Sequence, residues 1–313
     1  MNNKRNLLRP ATAATLVLFL LTAAQPAYPW GAVGHHVVAM IAERRLSPEV
    51  RQRIRRLLFD GRYTLRDIAS CADQIRSGPP KPGSRFPYDP ACDIVAGKVT
   101  GNTGPWHYID IPLPTQEKDL EKFCPNGECV VDQIERFTKI LRDSTDDAER
   151  RRALLFLVHF MGDIHQPLHA TERACDQGGN RELVNFYLGE KKSANEHLHA
   201  VWDSSLVEKL MKDDGLASEQ ALASDLNGRI DEDEAPRWAR ASVPGIAWES
   251  YRIAKKQVYR GIPFLDFCDK NTKPGEATDL TPRYEDSGVR VVRERLMKAG
   301  VRLAALLEEN VTR

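Results

Sequence analysis

Two stretches of the sequence place a histidine and an aspartate four residues apart. The first pair is His159 and Asp163, and the second is His199 and Asp203. On an α-helix, side chains at this spacing share one face, so each pair can direct an imidazole nitrogen and a carboxylate oxygen to one point. These donors suit zinc, although manganese and iron accept the same ligands.

Either pair alone is more often a surface hydrogen bond than a metal site. Here the metal interpretation is favoured, because His159 follows a long apolar run and His199 lies among apolar neighbours. A polar group on an apolar face is costly unless it has a partner. Pro167 ends the first helix, so His169 can turn back over its end. We therefore predict a multi-metal site inside a helical bundle. Three other histidines are expected to point elsewhere: His36, His165 and His197.

The elements that must position these residues are mostly helical. Apolar residues recur at helical spacing in 37–46, 130–141, 153–161, 242–259 and 287–307. Ser47 and Pro48 form a capping signal for a second helix. The residues around Asn185 suggest one arm of a short β-hairpin, whereas 79–83 and 231–234 are expected to be loops. The pattern predicts a mainly α, single-domain fold.

The first residues have the composition of a secretory signal peptide. A basic head is followed by an uncharged apolar run at 11–24, which is short for a membrane span. The alternative is a retained membrane anchor, which this length disfavours. We predict a signal peptide over 1–29 and a mature domain over 30–313, exported to the periplasm or secreted. Loss of three of the 45 basic residues leaves 42 against 44 acids. Without a global positive field, nucleic acid must be bound at a local site.

The chain has 6 cysteines, all after the predicted signal. An even number in an exported chain favours disulfides. Cys124 and Cys129 flank a Pro-Asn-Gly turn and are predicted to pair. Zinc ligation by thiolates is the alternative, but the sequence has no Cys-x-x-Cys motif. Three pairings remain open for the other cysteines, which are Cys71, Cys92, Cys175 and Cys268.

Six short motifs occur in the order, and at nearly the intervals, of a known family. They are Trp30-Gly-Ala-Val-Gly-His35, Ala72-Asp73-Gln-Ile-Arg76, Trp106-His107-Tyr108-Ile-Asp110, His159-x-x-x-Asp163 with His169, Gly178-Gly179-Asn180, and His199-Ala-Val-Trp-Asp203. With them the sequence resembles the zinc-dependent, single-strand-specific nucleases and 3′-nucleotidases of fungi, plants and bacteria, the nuclease S1/P1 family. The resemblance runs from Trp30 to about residue 250. It implies a helical bundle of the type shared with zinc-dependent phospholipases C.

The resemblance also implies three zinc ions in one cleft. The first would be held by Asp73, His107, His159 and Asp163. The second would be held by His169, His199 and Asp203. The third would be held by His35, Asp163 and Trp30, the last through its α-amino nitrogen and carbonyl oxygen. A free amine at Trp30 requires cleavage after Pro29, which is irregular for signal peptidase. Cys71 is a second departure, because relatives often have tryptophan there.

Four further residues receive roles from the resemblance. Arg76 would clamp the phosphoryl oxygens, and Asp110 would orient the attacking water. Asn180 would position phosphate or water, and Tyr108 would stack on an unpaired base. Each has a simpler interpretation: a surface arginine, a partner for a histidine, a turn residue and a core aromatic, respectively.

The resemblance implies an endonuclease that cuts single-stranded DNA and RNA to 5′-phosphate products and also acts on 3′-nucleotides. One alternative is a zinc phospholipase C, but that group typically has glutamate where this chain has Asp203. No Trp- or Phe-rich loop for a membrane interface is evident either. Another alternative is a non-catalytic periplasmic zinc-binding protein, which would not need Arg76 or Tyr108. Neither a protein partner nor stable membrane insertion of the mature chain is predicted.

Overall fold

The computed structural model describes residues 31–76, 89–97 and 99–311. The predicted signal peptide, the predicted ligand Trp30 and the predicted loop at 79–83 lie outside the described residues. Within the described ranges the chain forms one mainly α-helical domain with a small sheet, as the sequence predicts.

Helices account for most of the described residues. The α-helices are α1 Gly31–Arg45, α2 Pro48–Leu57, α3 Leu65–Ile68, α4 Cys71–Ile75, α5 Pro90–Ala96, α6 Val130–Asp143, α7 Asp147–Asp163, α8 Leu198–Ala200, α9 Leu206–Asp213, α10 Glu219–Gly228, α11 Ala235–Ala239, α12 Val243–Ile253 and α13 Pro282–Asn310. Short 3₁₀ helices span Gly104–His107, Glu121–Phe123, Pro125–Gly127 and Pro167–Ala170. Two π-helical turns span Val201–Ser205 and Ala254–Val258.

The core is built around α7. Every residue from Ala153 to Asp163 is buried, because α1, α6 and α13 all pack against this helix. The helical spacing at 153–161 suggests an amphipathic helix with one solvent face. That interpretation is wrong in detail, since this part of α7 is enclosed on all sides. His159 and Asp163 consequently lie in the interior, where polar groups need partners.

α1 and α13 cross at close range beside α7. Residues Val37–Ala42 of α1 are buried. The crossing depends on Gly300 of α13, because a Cβ at that position would overlap the side chain of Ile41. This contact fixes the orientation of α1, which carries the buried His35 in its first turns.

The predicted capping signal and hairpin are both present. Ser47 caps α2, its hydroxyl accepting a hydrogen bond from the Val50 amide, with Pro48 in the first turn. β1 Leu183–Leu188 pairs antiparallel with β2 Lys191–His197, which confirms the hairpin around Asn185. A short β3 Thr278–Asp279 adds to β1 in parallel, giving the order β2-β1-β3. β3 was not predicted, because two residues carry no alternation pattern.

Three disulfides connect the loops. Cys124 pairs with Cys129, as predicted. Cys71 pairs with Cys92, which joins α4 to α5. Cys175 pairs with Cys268, across 93 residues, and joins the loop before β1 to the loop before β3. No described cysteine is free to ligate a metal. None of the described helices combines the length and the hydropathy of a membrane span.

Candidate metal centre

Four separate elements bring polar side chains to the buried end of α7. The helix itself contributes His159 and Asp163 from its last two turns. α1 contributes His35, α4 contributes Asp73, and the 3₁₀ helix at Gly104–His107 ends on His107. Burial leaves their side chains no more than 3% exposed. Residues separated by more than 120 positions are thus placed in one water-poor space.

The first group consists of Asp73, His107, His159 and Asp163. Nδ1 of His107 lies 3.0 Å from Oδ2 of Asp163 and 3.6 Å from Oδ1 of Asp73. Nε2 of His159 lies 3.3 Å and 3.6 Å from the same two oxygens. The two imidazole nitrogens are 3.2 Å apart. These five distances lie between 3.0 and 3.6 Å, which is close enough for the side chains to share one ion.

Asp163 faces two groups at once. While its Oδ2 points to His107 and His159, its Oδ1 lies 3.3 Å from Nε2 of His35 and 3.7 Å from Nδ1 of His169. The His35 ring stacks on His159 with centroids 3.8 Å apart. It reaches this position because Gly162 has no side chain, and a Cβ there would lie 2.6 Å from Nδ1 of His35.

The second group consists of His169, His199 and Asp203. The Nε2 atoms of His169 and His199 are 3.1 Å apart, and Nε2 of His199 is 3.2 Å from Oδ2 of Asp203. His199 belongs to α8, whereas Asp203 lies in the π-helical turn that follows. The sequence predicts an ordinary helix here. The wider π turn nevertheless keeps the two side chains on one side.

Backbone carbonyls orient three of these histidines. Nδ1 of His159 is 2.8 Å from the Ala69 oxygen, Nδ1 of His169 is 2.8 Å from the His107 oxygen, and Nδ1 of His199 is 2.7 Å from the Gly178 oxygen. Since a carbonyl can only accept, each Nδ1 must carry a proton and donate it. In a neutral ring this leaves Nε2 with its lone pair directed into the cluster, which is the tautomer that a metal ligand requires.

Burial and charge act against each other in this cluster. Burial alone would raise the pKa of Asp163, but His159 and His169 lower it well below the usual range. Burial likewise opposes ionisation of Asp73, yet contact with His159 lowers its pKa. Burial lowers the pKa of His169 to about 4, whereas the two carboxylates outweigh burial at His159 and raise its pKa to about 10. The two ionised carboxylates thus stabilise positive charge at this point, whether as a proton on His159 or as a metal cation that displaces the proton.

Several buried polar atoms lie close to another polar atom but do not form a hydrogen bond with it. Within the described part of the chain, Nε2 of His35 and Oδ1 of Asp163 make no hydrogen bond, although only 3.3 Å separates them, and Oδ1 of Asp73 makes none either. A tetrahedral ion with bonds near 2.0–2.1 Å would space its ligand atoms by about 3.3 Å. The distances and the unsatisfied atoms therefore both fit divalent cations held by nitrogen and oxygen. Three groups of side chains place their ligand atoms close enough together to hold one ion: His35, His159 and Asp163; Asp73, His107 and His159; and His169, His199 and Asp203.

Arg76 and Tyr108 lie at the edge of the first group. Arg76 follows α4 directly, three residues after Asp73, and forms no ion pair with a described residue. Tyr108 follows His107 and is 39% exposed, so its ring is on the surface rather than in the core. Burial of its hydroxyl and the charge of Asp110 raise the pKa of Tyr108, and Arg76 opposes this shift. The three side chains therefore lie near one another.

The charge of Asp110 interacts with that of His199 in the second group. Burial first, and then the charges of Glu172 and Asp176, raise the pKa of Asp110 to about 7, while His199 opposes the shift. Asn180 lies in the turn that presents the Gly178 carbonyl, and its side-chain amide donates to the Gln177 carbonyl at 2.8 Å. The simpler interpretation of Asn180 as a turn residue thus accounts for one of its two amide protons, and its side-chain oxygen accepts no bond from a described residue.

Gln166 is a contributor that the sequence analysis missed. Its side chain is fully buried, and its Nε2 donates to Oδ1 of Asp203 at 2.6 Å, which leaves Oδ2 to face His199. Its Oε1 accepts from the Leu168 amide, so both ends of the amide are fixed. The only sequence signal is its position between the predicted ligands Asp163 and His169, directly before Pro167.

The remaining histidines have other surroundings, as predicted. Nδ1 of His36 lies 2.7 Å from Oε2 of Glu219, away from the cluster. His165 is buried between the Met161 carbonyl and the guanidinium of Arg302. His197 ends β2 before the second group begins.

The sequence is similar to those of known nucleases over almost its whole length. The chain is 29% identical to nuclease S1 of Aspergillus oryzae, with 96% of each chain covered. It is 29% identical to nuclease P1 of Penicillium citrinum, covering 90% of this chain and 97% of that one, and 28% identical to endonuclease 2 of Arabidopsis thaliana, covering 93% and 94%. The family model described as S1/P1 Nuclease matches residues 30–312, and the chain therefore belongs to the S1/P1 nuclease family.

Proposed function

We propose that this protein is an exported, zinc-dependent endonuclease that hydrolyses single-stranded DNA and RNA to 5′-phosphate products and also acts on 3′-nucleotides. The observation that carries the proposal is the convergence of three groups of buried histidines and aspartates at one end of α7. Membership of a nuclease family supports hydrolysis of phosphodiester bonds. The single-strand preference and the 3′-nucleotidase activity are parts of the proposal.

Zinc is the proposed metal because the ligands are imidazole nitrogens and carboxylate oxygens at tetrahedral spacing. The first ion would be held by Asp73, His107, His159 and Asp163. The second would be held by His169, His199 and Asp203. Zinc supplies charge neutralisation for the phosphodiester and a water-derived nucleophile near neutral pH.

A third ion is proposed between His35, Asp163 and the amino terminus at Trp30. The separate direction of Oδ1 of Asp163 towards His35 supports a bridging carboxylate. Gly31 begins α1 and approaches Ser204 so closely that a Cβ would lie 2.6 Å from its hydroxyl. Ser204 follows Asp203, so the start of α1 is already beside the second group.

Arg76, Asp110, Asn180 and Tyr108 are proposed to act on the substrate. The guanidinium of Arg76, which has no described acid as a partner, is available to bind two phosphoryl oxygens as their negative charge grows. Asp110 would accept a hydrogen bond from the attacking water and orient it, since its carboxylate lies near His199. Asn180 would contribute its side-chain oxygen to a water or its amide to phosphate.

The exposed ring of Tyr108 gives a physical reason for single-strand preference. A base can stack on this ring only when it is not already stacked and paired within a duplex. The ring follows His107 directly, so a stacked base would place its own phosphate near the first group. Export of the protein is supported by the three disulfides, which form and persist outside the cytosol.

The test is an activity panel on purified mature protein. Substrates are a single-stranded oligonucleotide, the same oligonucleotide in a duplex, a 3′-mononucleotide and short-chain phosphatidylcholine, each with zinc and with a chelator. We expect cleavage of the single strand and the 3′-nucleotide, little cleavage of the duplex, and loss of both activities with chelator. Cleavage that persists in chelator, or activity on the lipid alone, contradicts the proposal. Absence of all activity from zinc-loaded protein would favour a non-catalytic zinc-binding protein instead.

A further inference from the structure

A second cavity lies on the far side of the π-helical turn that carries Asp203. Its volume is about 400 Å³, and it opens between the start of α13, the strand β3 and the loop after α12. Trp202 forms part of its wall, whereas the next residue, Asp203, belongs to the second metal group. None of the described predicted metal ligands lines it. The cavity is therefore separate from the candidate metal centre.

Three arginines line this cavity: Arg260, Arg283 and Arg290. All three are exposed, and none forms an ion pair or a side-chain hydrogen bond with a described residue. Nearby arginines of α13 differ in this respect, since Arg293 pairs with Asp214 and Arg295 pairs with Glu249. Three guanidinium groups without a described acid partner leave a positive potential at this cavity.

Helical spacing places two of the arginines on the face of α13 that lines the cavity. Arg283, Ser287 and Arg290 are four and then three residues apart on α13, so they share one face. Across the cavity, Arg260 follows the π-helical turn that carries Gln257. The Ser287 hydroxyl lies 3.3 Å from Oε1 of Gln257, which joins the two walls.

The acid that lines the cavity already has other partners. Oδ1 of Asp279 accepts hydrogen bonds from Nδ2 of Asn185 at 2.7 Å and from the Tyr187 hydroxyl at 3.2 Å, and Nζ of Lys192 lies 3.5 Å away. The polar atoms of the aromatic residues in the wall also have hydrogen-bond partners within the protein. Nε1 of Trp202 donates to the Tyr284 hydroxyl, which donates to the Val258 carbonyl. The arginines are thus the groups that remain free to bind a ligand.

We propose that this cavity is a second anion site, which binds the phosphate group of a nucleotide-sized ligand. Guanidinium groups suit phosphate because their paired N–H donors match its oxygens. A volume of about 400 Å³ exceeds what a lone phosphate fills and lies in the range of small-molecule pockets. The site does not rest on the proposed nuclease activity, because it uses none of the residues assigned to it.

Arginine footprinting tests the site directly. Zinc-loaded protein is treated with phenylglyoxal at constant ionic strength, and modification is followed at each arginine by peptide mass spectrometry. The additions are inorganic phosphate, a nucleoside 5′-monophosphate, the corresponding nucleoside, or sodium chloride alone. Arg56 and Arg240 are the matched controls, because they are also exposed and have no ion pair with a described residue.

We expect phosphate and the nucleotide to slow modification of Arg260, Arg283 and Arg290, with the nucleotide more effective, and to leave both controls unchanged. The nucleoside should protect none of them. Equal protection of the controls, protection by the nucleoside, or no protection by either phosphate compound overturns the proposal. Equal protection by inorganic phosphate and by the nucleotide would show that the site binds phosphate without contacting the nucleoside. That result would support the anion site and contradict the nucleotide-sized ligand.

A double variant provides the second measurement. R283Q together with R290Q should weaken binding of the nucleotide at this site about tenfold or more, since two charge-assisted contacts are lost. The R56Q and R240Q double variant should bind as the native protein does. Unchanged binding in the first variant, with native folding by circular dichroism, contradicts the proposal. Nuclease activity is measured separately, so failure of the proposed function would leave this result interpretable.

Discussion

The carbonyl oxygen of Gly178 accepts a hydrogen bond from Nδ1 of His199 at 2.7 Å, and this bond fixes the ring that faces Asp203. Gly178 lies in a turn with φ +60°, and a Cβ at this position would lie 2.6 Å from the Leu168 carbonyl oxygen. The position of one predicted ligand, His199, therefore depends on the absence of a side chain at Gly178, which contributes only its backbone.

G178A tests this dependence. The added methyl group must move the turn away from Leu168, and His199 then loses its acceptor. We expect the affinity for metal and the rate of nuclease turnover each to fall by about 10- to 100-fold. The control is G215A, because Gly215 has a similar φ of +67° but no atom within 4 Å of the place that the added methyl group would take. Equal losses in the two variants would show that backbone strain, and not the His199 contact, is responsible.

D163N tests the bridging carboxylate. Oδ1 and Oδ2 of Asp163 face different imidazoles, so a neutral amide removes one charge from two groups at once. We expect turnover to fall by about 10³ or more, together with loss of bound zinc in metal analysis. D214N is the control, since Asp214 pairs with Arg293 outside the cluster. Retention of the full metal complement in D163N would contradict the assignment.

Y108A tests base stacking. Loss of the exposed ring should raise KM for a single-stranded oligonucleotide about tenfold, because stacking on one aromatic side chain contributes about 1–3 kcal/mol. Y108F should retain the native KM, since the ring is kept. An oligonucleotide with an abasic residue at the cleavage position should respond little to Y108A. If KM for both substrates rises equally, the ring has a structural role instead.

E249Q tests an ion cluster that supports the far end of the core. Glu249 accepts from the buried Arg295 and Arg302, and these guanidinium groups outweigh burial and lower the pKa of its carboxyl well below the usual range. We expect E249Q to lower the free energy of unfolding at pH 7 by about 3 kcal/mol, because it leaves buried arginines without a counter-charge. E232Q, which removes an exposed partner of Arg45, should change it by less than about 1 kcal/mol.

The pH dependence of this effect has a definite sign. A carboxyl whose pKa is lower in the folded than in the unfolded protein contributes its full stability above the unfolded pKa. That contribution is lost as the pH falls towards the folded pKa. The difference between native protein and E249Q in urea unfolding should therefore be constant near pH 7 and decrease below the ordinary glutamate range. A difference that increases on acidification would contradict the ion-pair explanation.

The sequence predicted those parts of the site that repeat with helical spacing. His159 and Asp163 are brought together because four residues make about one turn of an α-helix. His199 and Asp203 also meet as predicted, although the turn between them is π-helical. The order of the motifs indicated that Asp73 and His107 would join them. The hairpin and the cap at Ser47 also followed from local signals.

Features that depend on long-range packing could not be predicted. The pairing of Cys175 with Cys268 depends on how two distant loops meet, and nothing in either loop specifies the other. The π-helical turn at Asp203 and the hydrogen bond from Gln166 likewise depend on the surrounding core. The burial of α7 on all sides from Ala153 to Asp163 also depends on the helices packed around it, which the local pattern does not specify.

The main-chain acceptors at Ala69, His107 and Gly178 have a consequence for tracing the ancestry of such sites. Every amino acid has a main-chain carbonyl oxygen. The groups that set the proton positions on these imidazoles therefore do not require a particular residue type in the sequence. Lineages can therefore diverge widely around the ligands and still inherit the same proton arrangement. For these carbonyl acceptors, common descent is visible in the backbone conformation and not in the residue types.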